Sequence, residues 1–135
     1  PKIGVDAPIV YIKNTDAKTQ KRGLDEGVIH RPDTALQGQP GNAFFAGHSS
    51  DYVFSKGKYK TVFALLPQLE IGDEILITDK ETLYRYLVIE RKVITPDDLS
   101  VLDQRGKKEK LLTLQTSYPV GTALKRYIVV AKMAE

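Results

Sequence analysis

Ser117 is where nucleophilic chemistry would sit in this chain. It follows Leu111-Leu112-Thr113-Leu114-Gln115-Thr116, a short apolar run that breaks at Tyr118-Pro119-Val120-Gly121. Such a run reads as a strand, and a side chain at a strand's end is held by the strand and opened to ligand by the loop. A serine nucleophile needs a base and an oriented third group. The chain has two histidines, His30 and His48. His48 is the better candidate base, because it ends an apolar run in the small-residue corner Ala46-Gly47-His48-Ser49-Ser50. Arg126 lies in the apolar run Leu124 to Val130, where it could face water or aim at a developing oxyanion. Each of these residues also has a plain structural role. A strand-terminal serine commonly bonds its own turn. No Gly-x-Ser-x-Gly elbow surrounds Ser117, so a serine-hydrolase signature is weak.

The remaining polar residues carry little chemistry. Asp73-Glu74 and Asp97-Asp98 read as turn and cap residues, and Asp25-Glu26 alone do not make a calcium site. There is no phosphate-binding glycine motif, and the absence of cysteine excludes disulfides and thiolate metal sites. No cofactor and no metal are expected.

The elements that must position these residues are short strands. Pro1 to Ile12 alternates apolar and turn residues and suggests one or two strands; Asn14 to Gly27 suggests a short helix ending at Gly23 or Gly27. Val28 to Pro32 reads as extended, since Pro32 disfavours helix at Arg31. After the breakers of Gln37-Gly38-Gln39-Pro40-Gly41, Asn42 to Ser50 reads as a buried strand with its corner at Gly47-His48-Ser49. Val62 to Leu66 carries a helical pattern that stops at Pro67, and Glu74 to Thr78 is a strand. Thr82 to Val93 is a long strand with Tyr84, Tyr86 and Val88 on one face and Leu83, Leu87 and Ile89 on the other. Thr95-Pro96-Asp97-Asp98-Leu99 predicts one helical turn, and Ala123 to Lys132 a last strand. Seven or eight short strands with one or two short helices fit a small barrel or a sandwich.

Composition agrees. A chain of 135 residues with 41% hydrophobic and 27% charged residues suits one globular domain, read here as 1–135 without an internal boundary. The net charge of +3 is scattered, which fits a solvated surface better than a nucleic-acid patch. No stretch is long and apolar enough to span a bilayer. The chain begins at Pro1, so a signal or anchor is expected to have been trimmed.

Several pieces in order resemble the sortases, cell-wall transpeptidases of Gram-positive-type bacteria. They are Gly41-Asn42 with Phe45-Ala46-Gly47-His48, then Gly57-Lys58-Tyr59, Val62-Phe63, and Leu69 with Gly72-Asp73-Glu74-Ile75. Thr95-Pro96 with Val101-Leu102, Leu112-Thr113-Leu114-Gln115-Thr116-Ser117, and Arg126 with Ile128-Val129 follow. The resemblance implies a mainly β fold, a closed eight-stranded β-barrel with one or two short helices. It maps the family's histidine, nucleophile and arginine onto His48, Ser117 and Arg126. It also implies an acyl-enzyme formed at the Thr-Gly bond of an LPXTG-like sorting signal, with transfer to a cell-wall amine. Leu99, Val101 and Leu102 are candidates for the wall against the Leu-Pro part, and Thr116 for a supporting substrate contact. The segment Asn14 to Gln39 lacks an Asp-Pro-aromatic lid, which leans the resemblance toward a housekeeping or class D/E enzyme. The place implied is the outer face of the cell membrane, anchored through a missing N-terminus. The implied partners are a sorting-signal peptide and an amine acceptor, with no nucleic acid.

One departure dominates. The family's nucleophile is cysteine, and position 117 is serine. The first expectation is a Cys→Ser exchange that silences the enzyme or traps a complex, ahead of a naturally diverged homologue. Two other readings stand beside it: a serine hydrolase using Ser117 and His48, and a non-catalytic peptide-binding β-barrel.

Overall fold

A computed structural model describes residues 8–48, 63, 66–79, 81–98, 109–118 and 124–134. Within them one sheet organises everything. Its strands are β1 (Ile9–Tyr11), β2 (Val28–His30), β3 (Gly41–Ala46), β4 (Glu74–Asp79), β5 (Thr82–Ile94), β6 (Lys110–Tyr118) and β7 (Lys125–Met133). The order across the sheet is β1-β2-β3-β6-β7-β5-β4, curled strongly into a half-barrel. The pairs β1–β2 and β3–β6 are parallel, and the rest are antiparallel.

The apolar alternation explains the curl. Ala43 and Phe45 on β3, Leu112 and Leu114 on β6, and Tyr127, Val129 and Ala131 on β7 share one face and fill the main core with Tyr86 and Val88 of β5. Leu112, Val129 and Ala131 are completely enclosed. Full burial of a leucine or valine such as Leu112 or Val129 contributes roughly 1.5–3 kcal/mol. The opposite face carries a smaller cluster, Phe44, Ile94 and Ile128, with Ala46 and Val130 against it.

Helix α1 (Ala17–Glu26) lies on that opposite face. Asp16 caps it, accepting from the Thr19 N–H at 2.8 Å, and the Gly27 N–H closes it on the Gly23 carbonyl. Gly23 therefore sits inside the helix instead of ending it. A Cβ there would meet Ile29 Cγ2 at 2.5 Å and Ile12 Cγ2 at 3.0 Å, so glycine is what lets the helix lie close on β1 and β2.

Other expectations are amended. Seven strands, not eight, form the sheet among the described residues, and its ladder ends at β1 and β4 without joining them. The gap is spanned by a side chain instead. Gln37 Nε2 donates to Tyr11 Oη of β1 at 2.8 Å and to Asp79 Oδ2 of β4 at 3.2 Å. With only three residues in β1, little backbone is available for further pairing. Of the helical pattern at Val62 to Leu66, Val62, Ala64 and Leu65 lie outside the described residues, and Leu66 opens a 3-10 turn, Leu66–Gln68, that includes Pro67. Residues 95–98 form a turn closed by the Asp98 N–H on the Thr95 carbonyl at 3.1 Å. The two-faced reading of β5 holds through Val88, after which a register shift between Val88 and Glu90 exchanges its faces.

Candidate active site

Strands β3, β6 and β7 are neighbours, and their ends bring the candidate residues together. Ser117 on β6 is the partner of Arg126 on β7. On the other side, Ala46 of β3 is level with Gln115 of β6, and the Gly47 N–H donates to the Gln115 carbonyl at 3.1 Å. Continuing that parallel register by two residues sets His48 level with Ser117. Ser117 and Arg126 thus stand level on adjacent strands about 4.8 Å apart, and His48, two residues past the end of β3, extends the row on the other side of β6.

They also share a face. Side chains alternate along a strand, so residues in step with Phe44, Ala46, Gln115 and Ile128 oppose the main core. His48, Ser117 and Arg126 are all in that phase and all half-buried. The Nε2 of His48 is shielded from solvent, and its carbonyl accepts from the Phe63 N–H at 2.8 Å. Arg126 Nη1 donates to its neighbour's carbonyl, Lys125 O, at 3.1 Å. A long imidazole and a long guanidinium thus stand on either side of a short hydroxyl. That arrangement suits proton exchange on one side and charge stabilisation on the other.

Thr116 is placed differently from the substrate contact expected of it. It is 3% exposed and on the core side, where its Oγ1 donates to the Gly47 carbonyl at 2.7 Å. The bond joins the residue before Ser117 to the residue before His48, so it ties the two strand ends at the height of the row. His30 is also remote from the row. It is buried on the core side, donating from Nε2 to the Ala35 carbonyl at 2.7 Å and packed between the rings of Tyr11 and Phe45. Leu99, Val101 and Leu102 lie outside the described residues. No cluster of three or more metal-ligating side chains occurs among the described residues.

Two residues on the row's face went unremarked in the sequence. Gln115 stands two positions before Ser117, and Arg31 follows β2 with its N–H donating to the Phe44 carbonyl at 3.0 Å. The alternation that puts Gln115 in step with Ser117 was a signal available for the first; nothing local pointed to the second.

Residues 1–134 match the sortase domain family. The chain belongs to the sortases. That family comprises transpeptidases that anchor surface proteins at the cell wall. Among curated relatives, this sortase chain is 33% identical over 135 residues to Sortase D of Bacillus subtilis (strain 168), covering 98% of the chain and 60% of that protein. It thus spans well under two thirds of the length of that relative. Of solved structures, a Clostridium perfringens Sortase D5 transpeptidase superposes with a TM-score of 0.80 at 32% identity, covering 99% of this chain and 74% of the other. Sortase C-1 from Actinomyces oris gives 0.84 at 27% identity, covering 100% and 70%. No helix among the described residues is long and apolar enough to cross a membrane.

Proposed function

We propose that residues 1–135 are the catalytic domain of a sortase whose nucleophile position is held by Ser117, so that the chain as written turns over very slowly. The observation that carries this reading is the single row of His48, Ser117 and Arg126 on one face of the sheet. In the thiol form, a sulfur at 117 attacks the threonine carbonyl of an LPXTG-like peptide, and Arg126 meets the charge that develops on the oxygen. The C–N bond to glycine breaks, and the imidazolium of His48 gives its proton to the leaving amine. An acyl-enzyme remains. An entering amine loses a proton to His48, attacks the acyl carbon and releases the enzyme. The acceptor is a cell-wall amine, and the working location is the outer face of the membrane. Similarity to a Sortase D and a Sortase D5 supports class D within the family.

Serine halts this cycle at its first step. A thiol near pKa 8.5 supplies some thiolate beside two cationic groups. An alcohol stays protonated and depends wholly on base assistance as it attacks. The test is a Ser117→Cys variant incubated with a panel of LPXTG-type peptides and an amine donor, read by mass spectrometry. Cleavage between Thr and Gly with transfer to the donor is expected. A folded variant that yields no product across the panel overturns the reading. Labelling of the unmodified chain at Ser117 by a fluorophosphonate would replace it with a serine hydrolase.

A further inference from the structure

Beside the row, on the same face, a cavity of ≈ 40 Å³ opens between α1 and the sheet. At roughly 10–15 Å³ per water this holds about three waters, enough for one small polar group and too little for a ring. Its floor is Ile29, Phe44 and Ala46, its helix wall includes Gln20, and Arg31 and Gln115 stand at its two sides. Ala46 makes the dent, because a methyl group sits there between the longer side chains of Ile29 and Gln115.

The two polar residues have capacity to spare. Gln115 is half-buried, and its side-chain amide makes no hydrogen bond among the described residues. Arg31 pairs through Nε with Asp33 Oδ1 at 3.0 Å, which leaves its two Nη nitrogens without a partner among the described residues. The terminal fork of a guanidinium matches a carboxylate, and an amide N–H₂ donates to a carbonyl.

Position decides which ligand this serves. The cavity lies on the His48 side of Ser117, whereas Arg126 is on the other side. In the proposed function His48 exchanges protons with the amine, so the cavity flanks the entering amine's path. Gln115 is one row below Ser117, about 7 Å along the strand, and Arg31 is two rows below and two strands across, about 17 Å between Cα atoms. Subtracting the reach of the arginine and of the acyl group leaves about 10 Å, the span of three extended residues.

We infer that Arg31 and Gln115 form an acceptor subsite that holds a peptide by a carboxylate about three residues from its attacking amine, with Gln115 donating to a carbonyl on the way. This rests on the transpeptidase reading for its purpose, but its test needs no chemistry. The ¹⁵N-labelled chain, with Ser117 in place, is titrated with triglycine and with triglycine amide while backbone signals are followed. Triglycine should shift Phe44, Ala46 and Gln115 and bind at least tenfold tighter than its amide. Arg31→Gln should erase that preference, with the neutral Arg31→Met as the substitute if the glutamine form does not fold. No shift with either peptide, equal binding of both, or a preference that survives Arg31→Gln overturns the inference. In the Ser117→Cys form, the companion readout is the acceptor KM, expected to rise at least fivefold with Arg31→Gln. Absence of all acyl transfer in that form would count against the transpeptidase reading; absence of carboxylate preference in the titration counts against the subsite alone.

Discussion

In the proposed function one oxygen in place of one sulfur at position 117 sets the chemistry, and its neighbours make that testable. Ser117→Cys should raise cleavage of a matched sorting peptide by at least ~100-fold, the lower end of what assisted proton transfer contributes. In that background His48→Ala should lose about 10²–10⁴ and Arg126→Ala about 10²–10³, the scales of a general acid–base and of an oxyanion donor. Equal rates for the cysteine and serine forms would contradict the mechanism. Thr116 acts on the same site from beneath. Its hydroxyl reaches the buried Gly47 carbonyl, so Thr116→Val leaves that carbonyl unpaired at a cost of roughly 1–3 kcal/mol. The melting temperature should fall by about 3 °C per kcal/mol in a domain of this size. In the cysteine form kcat should fall with KM little changed, and Thr116→Ser should restore both melting temperature and kcat. Failure of the serine form to rescue would remove the hydroxyl bond as the cause.

Among the elements, α1 shows how local signals and packing divide the work. Asp16 announces the helix start, and the Thr19 backbone N–H, then the Thr19 side chain, hold its carboxyl below the ordinary 3.8. A carboxyl lowered on folding lends stability above its unfolded pKa and loses it as pH falls through the folded value. Thermal unfolding followed from pH 6 down to pH 2 should therefore show an acid decline that is smaller in Asp16→Asn, which keeps a capping oxygen without the charge. An identical decline in both proteins would show that the cap does not titrate with folding. The helix end was not settled by its residues. Gly23 and Gly27 both looked like stops, and only the approach of Ile29 and Ile12 explains why a glycine stands inside the helix.

At the scale of the whole molecule, the question is how an open ladder keeps its curl. Gln37 is 5% exposed and reaches both edge strands, and the next residue, Gly38, donates its N–H to Tyr86 Oη at 2.7 Å in the core. Gly38 has φ +78°, and a Cβ there would collide with the Tyr84 ring, so glycine is required at that point. The loop after β2 thus works as a strap between β1 and β4. Gln37 Oε1 is buried without a hydrogen-bond partner among the described residues, which offsets part of what its two donated bonds contribute. Gln37→Ala should cost about 1–2 kcal/mol and speed amide exchange in β1 and β4 together, with β6 protected as before. Exchange that rises in only one edge strand, or an unchanged melting temperature, would show that the strap does not couple them.

Much of this was legible in the chain itself. Alternation in Leu111 to Ser117 and in Thr82 to Val93 marked the strands, because side chains on a strand must alternate between faces whatever the rest of the molecule does. The same rule already required Thr116 and Ser117 to face opposite ways, so the turn of Thr116 toward the core was readable from position alone. Ser117 at a strand end, His48 at a small-residue corner and the ordered sortase pieces were likewise present in the residues. What tertiary structure decided was adjacency. Residue 48 stands beside residue 117 because β3 pairs in parallel with β6, and that pairing depends on which apolar faces meet after about seventy intervening residues. The bridging by Gln37, the cavity above Ala46 and the convergence of Arg31 and Gln115 have the same origin. Periodicity is a property of neighbours along the chain, whereas a site is made by neighbours in space.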